Sequence, residues 1–138
     1  MSQIEYVVEF TIHPRSLDEF KTTAREGIRR VRAEEPGTAV YQWYLSSDGR
    51  KCYVVERFPD SAALVAHARG AVLADLLPRL LQLSTLDEVR VFGRPTAEAA
   101  RVLAVLATTT TVTISRSFAG FVREPSQERP RARRGPSR

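Results

Sequence analysis

The stretch EEPGTAVYQWYLSSDGRKCYVVERFPDSAALVAH, Glu34 to His67, decides the fold. Pro36-Gly37 closes the helix before it, because proline cannot continue a helix and glycine tolerates the turn that follows. Thr38 to Ser46 and Lys51 to Phe58 are rich in Val, Tyr and Trp. Asp48-Gly49 between them supplies the two positive-φ positions of a type I′ turn, so the segment predicts a β-hairpin. With that dipeptide as the loop, Leu45 faces Cys52, Trp43 faces Val54, Tyr41 faces Glu56, Tyr44 faces Tyr53 and Gln42 faces Val55. One face then carries Tyr41, Trp43, Leu45, Cys52, Val54, Glu56 and Phe58, and the other Val40, Gln42, Tyr44, Tyr53, Val55 and Arg57. Both faces hold apolar side chains, so both need cover: the chain's own helices on one, a second subunit on the other. Asp60 then caps a helix that runs through Ala68 and carries His67.

Upstream, Tyr6, Val8, Phe10 and Ile12 alternate with Glu5, Val7, Glu9 and Thr11, the period-two pattern of a strand. His13-Pro14-Arg15 breaks it, and Ser16 three residues before Glu19 predicts a capping box. Leu17, Phe20, Ala24, Ile28 and Val31 form the apolar stripe of the helix that follows. Downstream, Ala71 to Leu83 continues helically with a kink or new turn at Pro78, and Asp87 to Phe92 reads as the fourth strand. The order strand, helix, strand, strand, helix, strand is the ferredoxin-like βαββαβ motif of an α+β fold. Thr96 caps a further helix over Ala97 to Ala107, and Thr108 to Val122 reads as an extended arm with the β-branched content of a strand, packed on the domain or on a dimer partner. The expected organisation is a domain over residues 1–93, a C-terminal helix and arm over 94–122, and a basic tail over 123–138.

The chain has 138 residues, 43% hydrophobic and 27% charged, which suits one domain with a proper core. No run of about 18 apolar residues is present, so no membrane span is expected. Glu5 and Glu9 interrupt the start where a secretion signal wants an apolar core, which points to the cytoplasm. Cys52 is the single cysteine and there are two histidines, so neither a disulfide nor a metal centre is expected. The formal charge of +5 is concentrated in the tail, where six arginines stand against two glutamates, leaving the folded body near neutral. Rich in proline and poor in aliphatic residues, the tail is expected to be disordered, a solvated extension in preference to a nucleic-acid contact.

The Ser16-to-Glu35 helix, the EEPGTAVYQWYLSSDGRKCYVVERF hairpin, the DSAALVAH helix and the VRVFG strand together resemble the antibiotic biosynthesis monooxygenase family over residues 3 to 93, with a weaker echo at Phe118 to Arg123. The resemblance implies a dimeric α+β barrel. It also implies a cofactor-independent monooxygenase that oxidises a small aromatic or polycyclic phenol or hydroquinone to a quinone with O₂. Such chemistry needs few protein groups, because a deprotonated, electron-rich ring itself passes an electron to O₂. The chain holds no Walker loop, no G-x-G-x-x-G and no H-E-x-x-H, consistent with that reading. Relatives of this kind also include isomerases, so an isomerase, a cyclase-like catalyst or a ligand-binding protein on the same fold is the alternative.

Candidate residues follow from both arguments. His67 shares a helix face with Ala63 and Leu64 and points inward, either as a satisfied core histidine or, as the resemblance implies, as a base or substrate-binding group beside the cavity. Glu56, on a face with Trp43, Val54 and Phe58, needs a partner or a cavity; it is a catalytic candidate or a carboxylate bonded to Tyr41 or paired at a dimer seam. Trp43, Tyr41, Tyr44 and Tyr53 are candidates to stack on an aromatic substrate, with core and interface packing as the alternative. Arg57 pairs either with a phenolate or in a salt bridge, His13 sits in a loop at the cavity mouth or in solvent, and Cys52 packs.

Overall fold

The computed structural model describes residues 3–123, and in it the alternating segment Ile4–Ile12 forms β1, the central strand of a sheet ordered β2-β3-β1-β4-β5. The remaining elements are α1 (Leu17–Glu34), β2 (Val40–Leu45), β3 (Lys51–Phe58), α2 (Ser61–Ala68), α3 (Ala71–Leu83), β4 (Ser84–Phe92), α4 (Ala97–Leu106) and β5 (Thr111–Ser115). This is the expected ferredoxin-like α+β plan, its second helix divided at Arg69-Gly70 and its sheet extended by β5. Neighbouring strands are antiparallel except β4 and β5, which run parallel and are joined by α4, as a parallel pair requires a crossover. The disorder expected of the tail falls on residues 124–138, which lie outside the described residues. Among the described residues no helix is long and apolar enough to cross a membrane.

The hairpin has the predicted register residue for residue, from Tyr41 opposite Glu56 to Leu45 opposite Cys52. Its turn is different. Only Gly49 has a positive φ, 70°, and the turn spans Ser46 to Gly49, closed by the Gly49 N–H donating to the Ser46 carbonyl. The Ser46 hydroxyl donates to Asp48 Oδ1 (2.7 Å) and accepts the Lys51 N–H (2.9 Å), while Asp48 Oδ1 also accepts the Arg50 N–H (3.0 Å). These local bonds stabilise a right-handed turn that the dipeptide rule for I′ turns ignores. Ser16 likewise caps α1 by position, but its side chain makes no capping bond. With ψ near 0° its backbone is outside the β region from which an N-cap oxygen reaches the first amides.

β4 begins at Ser84, three residues before the predicted start, because the apolar run of α3 hides the boundary. Ser84 is buried and its hydroxyl donates to the Leu80 carbonyl, ending the helix. The register slips between Glu9 and Phe10, and Asp87, left between Leu86 and Glu88, accepts from Thr11 (2.6 Å) and Lys51 (3.0 Å). Part of the predicted extended arm is a strand on the chain's own sheet: β5 pairs with β4 from Thr111 opposite Glu88 to Ser115 opposite Phe92. Phe118, Phe121 and Val122 beyond it are exposed.

The helices cover one face of the sheet. Ile4, Tyr6, Val8, Phe10 and Ile12 of β1, Cys52, Val54 and Phe58 of β3, and Val89 and Val91 of β4 pack there with Phe20, Leu64, Leu76, Leu80 and Leu103. Each such large side chain contributes about 1.5–3 kcal/mol relative to exposure. The opposite face carries ion pairs, Arg57 with Glu5 (2.9 Å) and Lys51 with Glu9 (3.2 Å) and Asp87 (3.0 Å). α1 crosses α3 at Gly27, where an added Cβ would run into the side chain of Leu76, itself fully buried. Gly27→Ala is therefore expected to destabilise the protein by about 1–3 kcal/mol through overpacking, against alanine's higher helix propensity. A lowered urea midpoint with an unchanged slope checks this.

Candidate functional site

A cavity of about 590 Å³ lies between the covered sheet face and the helices, within the range of small-molecule sites. Its wall on the sheet is made by Tyr6, Val8, Phe10, Tyr41, Trp43, Val54 and Glu56, with Leu86 and Val89. Leu73, Leu77 and Leu80 of α3 and Val102, Leu103 and Leu106 of α4 face them, and His67 of α2 joins the wall. Arg69, Arg101, Thr108 and Thr109 also line it. The sequence left open which strand face lines a cavity; the face with Glu56 does.

Glu56 is 4% exposed, with Tyr6 of β1 and Tyr41 of β2 directly across the two strand pairs. Its Oε1 lies 2.9 Å from His67 Nε2, off the line of an aligned hydrogen bond, so the contact is an ion pair. On the other side of the ring, His67 Nδ1 is 2.6 Å from Glu35 Oε1. Three elements bring these groups together. Glu35 is the C-cap of α1, Glu56 sits near the end of β3, and His67 is on α2, which Asp60 anchors by accepting the Ala63 N–H at 2.9 Å. A carboxylate at a helix C-terminus opposes the helix dipole, and the His67 cation offsets that. Tyr41 meets the imidazole edge-on at 5.8 Å and Phe58 packs against it at 5.4 Å.

Burial works against a charged imidazole, but the Glu56 charge and the bond to Glu35 outweigh it and push His67 up to about 10. At neutral pH the cluster is an imidazolium between two carboxylates. Burial first, then the Glu56 charge, pushes the Tyr6 and Tyr41 hydroxyls well up, so both stay neutral. Burial also pushes the Cys52 thiol up to about 12, which makes it a packing residue and no nucleophile. Among the described residues no group of three or more His, Cys, Asp or Glu side chains is placed to hold a metal ion.

Of the residues predicted for the site, His67, Glu56, Tyr41 and Trp43 meet in the cavity. Tyr44, Arg57 and His13 do not line it. Tyr44 and Arg57 each stand one strand position from Trp43 and Glu56, so alternation turns them to the opposite face, where Tyr44 is 53% exposed and Arg57 pairs with Glu5. His13 lies in the loop after β1 with Nε2 3.1 Å from Thr85 Oγ1. The pairing of Glu56 is with His67 of the same chain, in place of the expected Tyr41 bond or dimer-seam ion pair. Sequence reasoning missed Glu35 and Tyr6. Glu35 had a signal: an acidic pair just before Pro36-Gly37, at a helix end where cations are favoured. Tyr6 had a fainter one, a phenol on the inward side of an apolar strand.

The sequence model of the family described as antibiotic biosynthesis monooxygenase matches residues 4–76. Among solved structures, MupZ from Pseudomonas fluorescens superposes with a TM-score of 0.71 at 21% identity, covering 88% of this chain and 94% of that one. A conserved protein from Methanosarcina mazei Go1 gives 0.59 at 20% identity, with 70% and 95% covered. Rv0793 from Mycobacterium tuberculosis gives 0.58 at 19% identity, with 68% and 96% covered. At these identities the likenesses establish the fold alone. No curated protein matches the chain. With its matched segment spanning β1 into α3, and so carrying Glu35, Glu56 and His67, the chain belongs to the antibiotic biosynthesis monooxygenase family.

Proposed function

We propose that this protein is a cofactor-independent monooxygenase that binds a small aromatic or polycyclic phenol in the cavity and converts it with O₂ to a quinone, acting in the cytoplasm as a homodimer. The observation that carries the reading is the 2.9 Å contact between His67 and the Glu56 carboxylate at the wall of a largely apolar cavity. Because His67 already holds its proton, it is not the base. Glu56 takes the phenolic proton, and the cluster, net −1 before transfer, becomes neutral as the phenolate forms, so the new anion faces a cation without net repulsion. His67, held by Glu35, then stabilises the phenolate in a low-dielectric site. The phenolate passes one electron to O₂, and the ring radical and superoxide combine at the para carbon as a peroxide. Loss of the para hydrogen and cleavage of the O–O bond leave one oxygen on the ring as the quinone carbonyl and the other as water, protonated from Glu56. Trp43, Tyr41 and Phe10 supply the aromatic wall that holds the ring. A second copy covers the outer sheet face, where Val7, Val55 and Tyr53 are only half-buried and Tyr44 is exposed.

A second reading has its own support. A proton donor at His67 next to a proton acceptor at Glu56 is an acid–base pair, suited to isomerisation or ring closure without oxygen. Oxygen uptake by purified protein on a panel of anthrones and hydroquinones, without added metal or flavin, separates the two. The monooxygenase reading expects one O₂ consumed per anthraquinone formed, above the spontaneous rate. Turnover that continues undiminished in the absence of O₂ assigns the acid–base reading instead.

A further inference from the structure

We infer that the substrate is an amphipathic acid, with its phenolic end against Glu56 and His67 and a carboxylate at its far end held at the cavity mouth by Arg101. The inference rests on the reading that this cavity is the substrate site, and it adds which substrates enter and which way round. The buried and the exposed parts of the cavity wall differ in sign. On the buried part, Glu35, His67 and Glu56 sum to −1 and are nearly sealed from solvent, so a carboxylate placed there meets uncompensated negative charge. The middle is leucine, valine and aromatic side chain. On the exposed part, Arg69 at α2's C-cap, two residues past His67, and Arg101 on α4 line the cavity.

These two arginines are not equivalent. Arg69 Nη1 is 2.8 Å from Glu98 Oε1, one turn before Arg101 on α4, and is taken by that pair. Among the described residues Arg101 has no ion-pair partner within reach, so Arg69, Glu98 and Arg101 leave +1 at the rim. An exposed guanidinium at an apolar rim matches a carboxylate in a two-pronged geometry. The resulting field, negative inside and positive outside, orients a bipolar ligand before it docks. α4 lies outside the segment matched by the family, residues 4–76, so the matched segment does not by itself carry this recognition.

The test is binding without turnover. Trp43 is the single tryptophan and lines the cavity, so its fluorescence reports occupancy. The probes are dihydroxyanthraquinone and the same ring bearing a carboxylic acid, both already oxidised. The acid is expected to bind about fivefold tighter at low salt, the size of a partly exposed ion pair. Arg101→Gln should erase that advantage while leaving the neutral ligand's affinity unchanged, and Arg101→Glu should make the acid the weaker ligand. Equal affinities in the wild type, or a preference that survives Arg101→Gln, overturn the inference while the neutral ligand's binding keeps the site reading intact. If neither ligand binds, the site reading falls and this inference with it.

Discussion

Glu56→Gln is expected to lower turnover of a phenolic substrate by about 10²–10⁴-fold, the usual contribution of a positioned general base. The change is nearly isosteric, and it leaves His67 paired with Glu35, so the buried ring keeps a counter-charge and the fold survives. The loss therefore falls on kcat, with ligand binding reported by Trp43 quenching changed only slightly. The expectation is specific to Glu56 because the imidazolium cannot accept the proton and the buried phenols of Tyr6 and Tyr41 cannot supply a base. A Glu56→Gln enzyme with wild-type kcat would remove proton abstraction from the mechanism.

The largest effect on stability is expected from His67→Ala. This change strands the two carboxylates of Glu35 and Glu56 in a buried site without their shared cation, at a cost of about 3–5 kcal/mol. Adding Glu35→Gln and Glu56→Gln to it should recover most of the loss, since the burden is the uncompensated charge more than the missing ring. Chemical denaturation of the single and triple variants measures both steps; a single variant as stable as wild type would contradict the charged cluster. The same linkage gives a pH dependence in the unmodified protein. His67 is raised in the folded state, so its stabilising contribution is fully present below its unfolded value of about 6.5 and is lost as the pH rises through about 10. The protein should therefore weaken on the alkaline side, where the unfolded chain binds fewer protons than the folded one.

Much of this was legible in the residues because the hairpin's alternation allows one register only. A slip by one position would have put Glu56 outside and Arg57 inside, and Tyr41, Trp43 and Glu56 are found on one face as that register requires. What alternation leaves undetermined is which face the helices cover, and for that reason Tyr44 and Arg57 were equal candidates until the structure placed them opposite the cavity. Glu35 was hidden for a different reason: its partner is 32 residues away, on a helix whose packing against the end of α1 no local pattern encodes. The hairpin turn was misread because two side chains, Ser46 and Asp48, stabilise it by bonds that residue propensities average away. β4's early start escaped notice because leucines at the end of α3 run straight into a strand whose first residue is a buried serine.

The charge state of His67 is the centre of the account, and NMR of its imidazole nitrogens as a function of pH measures it directly. The chain has two histidines, so a His13→Gln background leaves one ring to follow. The account predicts both ring nitrogens protonated at neutral pH, with the transition near the value of about 10 set by Glu56 and Glu35. A neutral ring at neutral pH would contradict it and would return the role of base to His67.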